Sequence, residues 1–214
     1  MRWLQNARGW PGARSLRRVA LAFAIVAAIV GIPAIVLGSW AVALQLSGNV
    51  HVVEPGQLYR AAQLNGAELD DVLNRYGIRT IINLRGVHAG QRWYDDEVAV
   101  ARQRGLIHVD VPMSATREPD EATLQTLMLA LRDSPEPILV HCQSGADRTG
   151  LASALFELVG AGRPSSVAAE QLSFRYGHFP WLGSRTDAMD RTFERLTAHG
   201  GLRFLSTSVA WSDR

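Results

Sequence analysis

The sequence predicts an α/β domain, with a central, mostly parallel sheet flanked by helices, preceded by one transmembrane helix. Short apolar runs of strand length alternate with stretches whose apolar residues recur at i, i+3, i+4 and i+7. Ahead of them, residues 19–46 are apolar almost throughout. A chain of 214 residues with 47% hydrophobic content has room for one domain of ordinary size plus an extra segment.

Residues 1–18 form a basic arm holding Arg2, Arg8, Arg14, Arg17 and Arg18 and no acid. With 22 basic and 20 acidic residues in all, removing those 5 arginines leaves 17 against 20, so the remainder carries −3. The positive charge therefore lies beside the apolar run, where membrane topology accounts for it better than a nucleic-acid partner does, and no nucleic-acid binding is expected. The run 19–46 exceeds the about 20 residues needed to cross a bilayer. Gly31 and Pro33 inside it are tolerated in transmembrane helices, and Trp40 suits the far interface. A signal peptide cleaved near Ala41-Val42-Ala43 and a buried core helix are the other readings; the length of the run and of the arm favours a retained anchor. The charge bias puts the N-terminus in the cytoplasm and the rest of the chain on the opposite side. Residues 47–50 read as a linker, and 51–214 as the folded domain.

Within that domain, Leu58–Arg60 suggests a short edge strand, and Leu69, Val72, Leu73 and Tyr76 mark a helix over Ala67–Tyr76 that Gly77 ends. Thr80–Leu84 reads as a buried strand, Tyr94–Arg104 as a helix stopped by Gly105, and Leu106–Val111 as another strand. Pro119 opens the next helix, whose face is Leu124, Leu127, Met128 and Leu131, and Pro135 and Pro137 close it. Ile138–Val140 is a strand, and a glycine-bearing loop at 142–148 leads into a helix from Thr149 that carries Leu151, Leu155, Leu158 and Val159. A strand, loop and helix N-terminus in this order gather backbone N–H groups around one point, an arrangement that binds anions.

Cys142 is the only cysteine, which excludes an internal disulfide or a multi-cysteine zinc site. A lone cysteine after a strand is ordinarily an inert core residue. Here Arg148 follows after five intervening residues, Gly145 permits a tight turn, and the strand-loop-helix setting weighs against that reading. Five residues let the loop curl its N–H groups of Gln143, Ser144, Gly145 and Ala146 toward a phosphate while Arg148 returns as a two-pronged donor. The helix N-terminus, the amides and the arginine all favour a thiolate, to which Thr149 offers a hydroxyl.

His141, Cys142, Arg148, Thr149 and Gly150 match the His-Cys-x5-Arg-[Ser/Thr]-Gly signature, so the sequence resembles the cysteine-dependent protein tyrosine phosphatase superfamily, in its compact dual-specificity-like bacterial and fungal branch. The segments 58–63 (LYRAAQ) and 77–85 (GIRTIINLR) resemble further motifs of that branch. The resemblance implies a phosphocysteine at Cys142, hydrolysed by water, with Gln143, Ser144, Gly145, Ala146, Thr149 and Gly150 binding substrate and neither metal nor cofactor taking part. It also implies a bacterial inner-membrane setting for the anchor. Many members place a general acid about thirty positions before the cysteine, where this chain has Asp110 as the one carboxylate of 109–117. Asp147 is the other candidate, since myotubularin-type and secreted mycobacterial phosphatases resemble this chain in carrying Asp-Arg there. A bound dianion would raise its pKa, as an acid requires, whereas pairing with an arginine would leave it shaping the loop.

His141 is expected to support the loop, Arg85 to support the fold or approach substrate, Asp95, Asp96 and Glu97 to cap or solvate a helix, and Gln171 and residues 176–180 to pack, with lining the cleft as their other reading. The expected activity is on phosphoprotein. A membrane-associated phosphoinositide or phospholipid phosphatase and a non-catalytic phosphate-binding membrane protein are the alternatives, and arsenate reduction or sulfur transfer generally needs more thiols than one.

Overall fold

A computed structural model describes residues 13–181 and 183–198; the basic arm as far as residue 12 lies outside them. The chain divides into two compact units, Met1–Ala43 and Leu44–Arg214. The first is the body of helix α1, Ala13–Leu46, whose stretch Leu16–Leu46 has a mean hydropathy of 2.8 and is long and apolar enough to cross a membrane. Pro33 lies inside the helix without ending it.

The second unit carries a five-stranded sheet of β1 (His51–Glu54), β2 (Leu58–Ala61), β3 (Thr80–Asn83), β4 (Ile107–Asp110) and β5 (Ile138–His141), in the order β1-β2-β5-β3-β4. Only β1 and β2 run antiparallel; the other pairs are parallel. Leu58–Ala61 is therefore an inner strand, not the edge its brevity suggests, because His51–Glu54 covers its free side. All four residues of β2, β3 and β5 are buried, as strands covered on both faces must be.

The period of two along each strand separates two cores. Ile82, Ile138 and Val140 face helices α4 (Glu121–Asp133), α5 (Asp147–Leu155) and α7 (Ala188–Ala198), while Ile81 and Leu139 face α2 (Gly66–Tyr76) and α3 (Arg92–Arg104). Gly77 and Gly105 end α2 and α3 at φ of 63° and 67°, as the sequence suggests. Two helix starts differ from expectation. Asp120, whose side chain accepts from the Thr123 N–H at 2.8 Å, caps α4, so Pro119 lies outside it. Helix α5 begins at Asp147, two residues before Thr149, which brings Asp147 and Arg148 into its first turn. A short four-residue helix, α6 (Ser165–Ala168), follows.

Candidate active site

Four parallel strands end at one rim of the sheet. Ala61 and Asn83 flank His141 in register, and Asn83 in turn pairs with Asp110. Cys142 follows directly from the central strand β5, which sets the loop at the carboxyl ends of the strands, the usual place for a site in such sheets.

The loop is shaped from outside by its carbonyls. Gln143 O accepts from the Gln63 N–H at 3.2 Å, Ser144 O from Asn49 Nδ2 at 2.9 Å, and Gly145 O and Ala146 O from Arg60 Nη2 at 2.8 and 3.3 Å. The C=O and N–H of a trans peptide point in opposite directions, so each carbonyl held outward turns the next residue's N–H inward. The amides of Ser144, Gly145, Ala146 and Asp147 thus face the centre of the loop, an arrangement of the kind that can hold an anion. Gly145 has φ of 71°, and a Cβ on it would come within 2.7 Å of the Ala61 carbonyl oxygen, so no other residue fits this turn without displacing β2.

Arg60, fully buried in β2, is the cation under this belt. Its Nη1 donates to Gln171 O and Oε1 at 2.9 and 2.6 Å, and its guanidinium lies 3.9 Å from the Tyr176 ring centroid. Burial pulls its pKa down to about 10, which still leaves it charged at neutral pH, with Tyr176, Cys142 and Glu157 opposing the shift. Gln171 and Tyr176, for which packing is the expected role, are hydrogen-bonding and stacking partners of this buried charge. Asn49, in the expected linker, is 1% exposed, and its Nδ2 also donates to Tyr176 O at 2.9 Å, so residues 47–50 are built into the loop's support.

A second support comes from α3. Glu97, expected to solvate or cap that helix, is instead buried: Oε1 meets His141 Nε2 at 3.1 Å and His108 Nε2 at 2.9 Å, and Oε2 accepts from Gln63 at 2.9 Å. Burial alone would raise its pKa, but His141 together with the hydrogen bonds from His108, His141 and Gln63 holds the carboxyl far below the usual carboxylate range. Gln63 in turn accepts from Arg85 at 3.2 Å, and the Arg85 guanidinium stacks 3.5 Å over Trp93. Burial and then the neighbouring charge of Arg148 lower the Arg85 pKa, with Cys142 and Glu97 opposing, so a second cation stands beside the cysteine loop.

Cys142 itself is 1% exposed. Arg148 Nη1 donates to the carbonyls of Leu84 and Met113 at 3.3 and 3.2 Å, anchoring it on the segments that follow β3 and β4. The Thr149 hydroxyl is buried and has no hydrogen-bond partner among the described residues. Gly150 lies farther along α5, where a Cβ would meet Gln171 O at 2.8 Å; the position serves close packing.

The two candidate acids differ in how their oxygens are used. Asp110 accepts from Asn83 Nδ2 at 2.8 Å and from the Tyr94 hydroxyl at 2.7 Å, so both oxygens are engaged at the sheet edge. Burial and then that bond to Asp110 push the Tyr94 pKa up to about 12. Asp147 pairs with a histidine, not an arginine: Oδ1 lies 2.7 Å from His178 Nδ1, while Oδ2 has no protein partner among the described residues.

This fold and this loop together define an α/β domain with a cysteine-to-arginine loop set between a central strand and a helix N-terminus. The family model described as "Tyrosine phosphatase family" matches residues 44–173, and the chain belongs to that family. Among curated relatives, the dual specificity protein phosphatase TpbA of Pseudomonas aeruginosa strain UCBPP-PA14 is 30% identical over 63% of this chain and 57% of its own length. TpbA of strain PAO1 is 29% identical over 71% of this chain and 63% of its own length. The chain thus spans about three fifths of these two relatives. The crystal structure of P. aeruginosa TpbA has a TM-score of 0.57 at 23% identity, covering 75% of this chain and 92% of that one. The core catalytic domain of a PP-IP phosphatase from S. cerevisiae has a TM-score of 0.56 at 16% identity, covering 77% and 94%. These structures establish the fold.

Proposed function

We propose that the chain hydrolyses phosphate monoesters of phosphoprotein, phosphotyrosine foremost, through a phosphocysteine at Cys142. The belt of outward-held carbonyls at 143–146, which leaves four amides facing one point beside Cys142 and Arg148, carries this reading. A TpbA variant has been crystallised in complex with pTyr, which supports the substrate class.

In the proposed reaction the Cys142 thiolate attacks phosphorus in line, the P–O ester bond breaks, and the leaving oxygen takes the Asp147 proton. The Ser144, Gly145, Ala146 and Asp147 amides and the Arg148 guanidinium hold the equatorial oxygens, and the buried Thr149 hydroxyl, which has no hydrogen-bond partner among the described residues, is the donor left for the thiolate. Water then attacks the phosphocysteine, the P–S bond breaks with its electrons returning to sulfur, and the Asp147 carboxylate takes the water's proton. Asp147 is favoured over Asp110 because one of its oxygens is uncommitted, whereas both oxygens of Asp110 already accept hydrogen bonds.

The apolar helix and the second cation, Arg85, favour an alternative lipid or inositol phosphate substrate. A panel run on the full chain in detergent separates the two. Turnover of a phosphotyrosine peptide well above that of phosphoinositide vesicles, unaffected by chelator, is the expected result; the reverse order overturns the protein substrate. For residues 19–46 the reading is a retained inner-membrane anchor with the catalytic unit outside the cytoplasm. A C-terminal reporter active only in the cytoplasm should then stay silent, and a mature form starting near Leu44 would instead identify a cleaved signal.

A further inference from the structure

His178 is fully buried, yet each of its ring nitrogens meets a carboxylate: Nδ1 lies 2.7 Å from Asp147 Oδ1 and Nε2 lies 2.8 Å from Asp190 Oδ2. Asp147 is in the first turn of α5, His178 lies in the segment after residue 176, and Asp190 is on α7, so three separate parts of the chain meet at one imidazole. No packing need calls for a ring with both nitrogens so engaged; an apolar side chain would fill the same space without desolvating a polar group.

We propose that His178, held by Asp190, is the positioning residue for Asp147, selecting which of its oxygens gives the proton to the leaving group. This rests on Asp147 being the general acid. An ionised carboxylate accepts only, so both imidazole nitrogens carry hydrogen when they face Asp147 and Asp190. With Nδ1–H donating to Oδ1, that oxygen is committed as acceptor, and a proton taken up by Asp147 goes to Oδ2, the oxygen with no protein partner among the described residues. Protonated Asp147 keeps the same bond, because Oδ1 then accepts as the carbonyl oxygen. The acid is thus held in one orientation through both protonation states, and its return to carboxylate needs no side-chain rotation.

Asp190 has a distinct part. An imidazolium facing Asp147 alone would stabilise its carboxylate and make proton uptake harder. Asp190 on the far nitrogen shares that positive charge and so lessens the pull of the imidazolium on Asp147. The charged groups facing the imidazole are Asp147 from α5 and Asp190 from α7; Asp187, on the approach to α7, is paired with Arg191, which also pairs with Glu118. Burial opposes the imidazolium, but hydrogen bonds to the two carboxylates outweigh it and raise the His178 pKa, consistent with a doubly protonated ring.

The test uses the full chain and two aryl phosphates, phenyl phosphate with a poor leaving group and p-nitrophenyl phosphate with a good one. His178→Ala should lower kcat for phenyl phosphate by about 10–100-fold, part of the usual general-acid contribution, and much less for p-nitrophenyl phosphate, with vanadate inhibition unchanged. His178→Gln, which keeps an N–H donor, should recover part of that loss. Asp190 is 28% exposed at its side chain, so Asp190→Asn carries the same comparison if His178→Ala does not fold. Equal losses on both substrates with weaker vanadate inhibition would mean a prop for the loop and overturn the inference, as would unchanged rates. Asp147→Asn on the same pair keeps the two ideas apart: no leaving-group dependence there removes the acid assignment itself, whereas dependence in Asp147→Asn without it in His178 and Asp190 variants removes only the positioning role.

Discussion

Cys142→Ser should lower turnover of p-nitrophenyl phosphate by about 10⁴-fold or more, the scale seen when a covalent nucleophile is lost. A serine hydroxyl does not ionise under conditions that ionise a thiol. The variant should still bind phosphate and vanadate, because the four loop carbonyls are held by Gln63, Asn49 and Arg60 and none of those bonds involves the cysteine side chain. Thermal unfolding with and without inorganic phosphate reads both properties together: a ligand-dependent rise retained in the variant, with turnover gone, is the expected pair. Turnover near that of the parent chain would remove the covalent mechanism.

Arg148→Lys should cost about 10²–10³-fold in kcat/KM, comparable to losing a principal transition-state donor. The guanidinium is held by the carbonyls of Leu84 and Met113 through Nη1 while its remaining donors are left for the ligand. A lysine in its place has one nitrogen for both tasks: bonded to those carbonyls it is withdrawn from the phosphate, and turned to the phosphate it leaves them unpaired. Kinetics with p-nitrophenyl phosphate, set beside vanadate inhibition, should show both properties impaired. Near-normal values of both would exclude the role assigned to the planar fork.

The features readable from the sequence are those set by short stretches of chain. The i, i+3, i+4 and i+7 pattern located α2 and α4 because a helix's buried face repeats within a few turns. The Cys142–Arg148 spacing was readable because the loop is a local structure whose amides need no distant partner to be counted. The apolar length of 19–46 likewise depends on composition alone. Even so, local pattern misjudged the start of α5, since Asp147 and Arg148 carry no apolar periodicity, and it took Leu58–Arg60 for an edge because strand order is not written in any one strand.

Tertiary structure alone decided which side chains sustain the loop. Arg60 reaches Gln171 across 111 positions, Asn49 reaches Ser144 across 95, His141 reaches Glu97 across 44 and Asp147 reaches His178 across 31. Each of these looked like an ordinary residue in its own segment: an arginine in a strand, an asparagine in a linker, a glutamate on a polar helix, a histidine in a turn. What makes them part of the site is desolvation, which forces a buried charge or amide to find a partner, and the identity of that partner is set by how strands β2, β3 and β5 and helices α3, α5 and α7 come together in space.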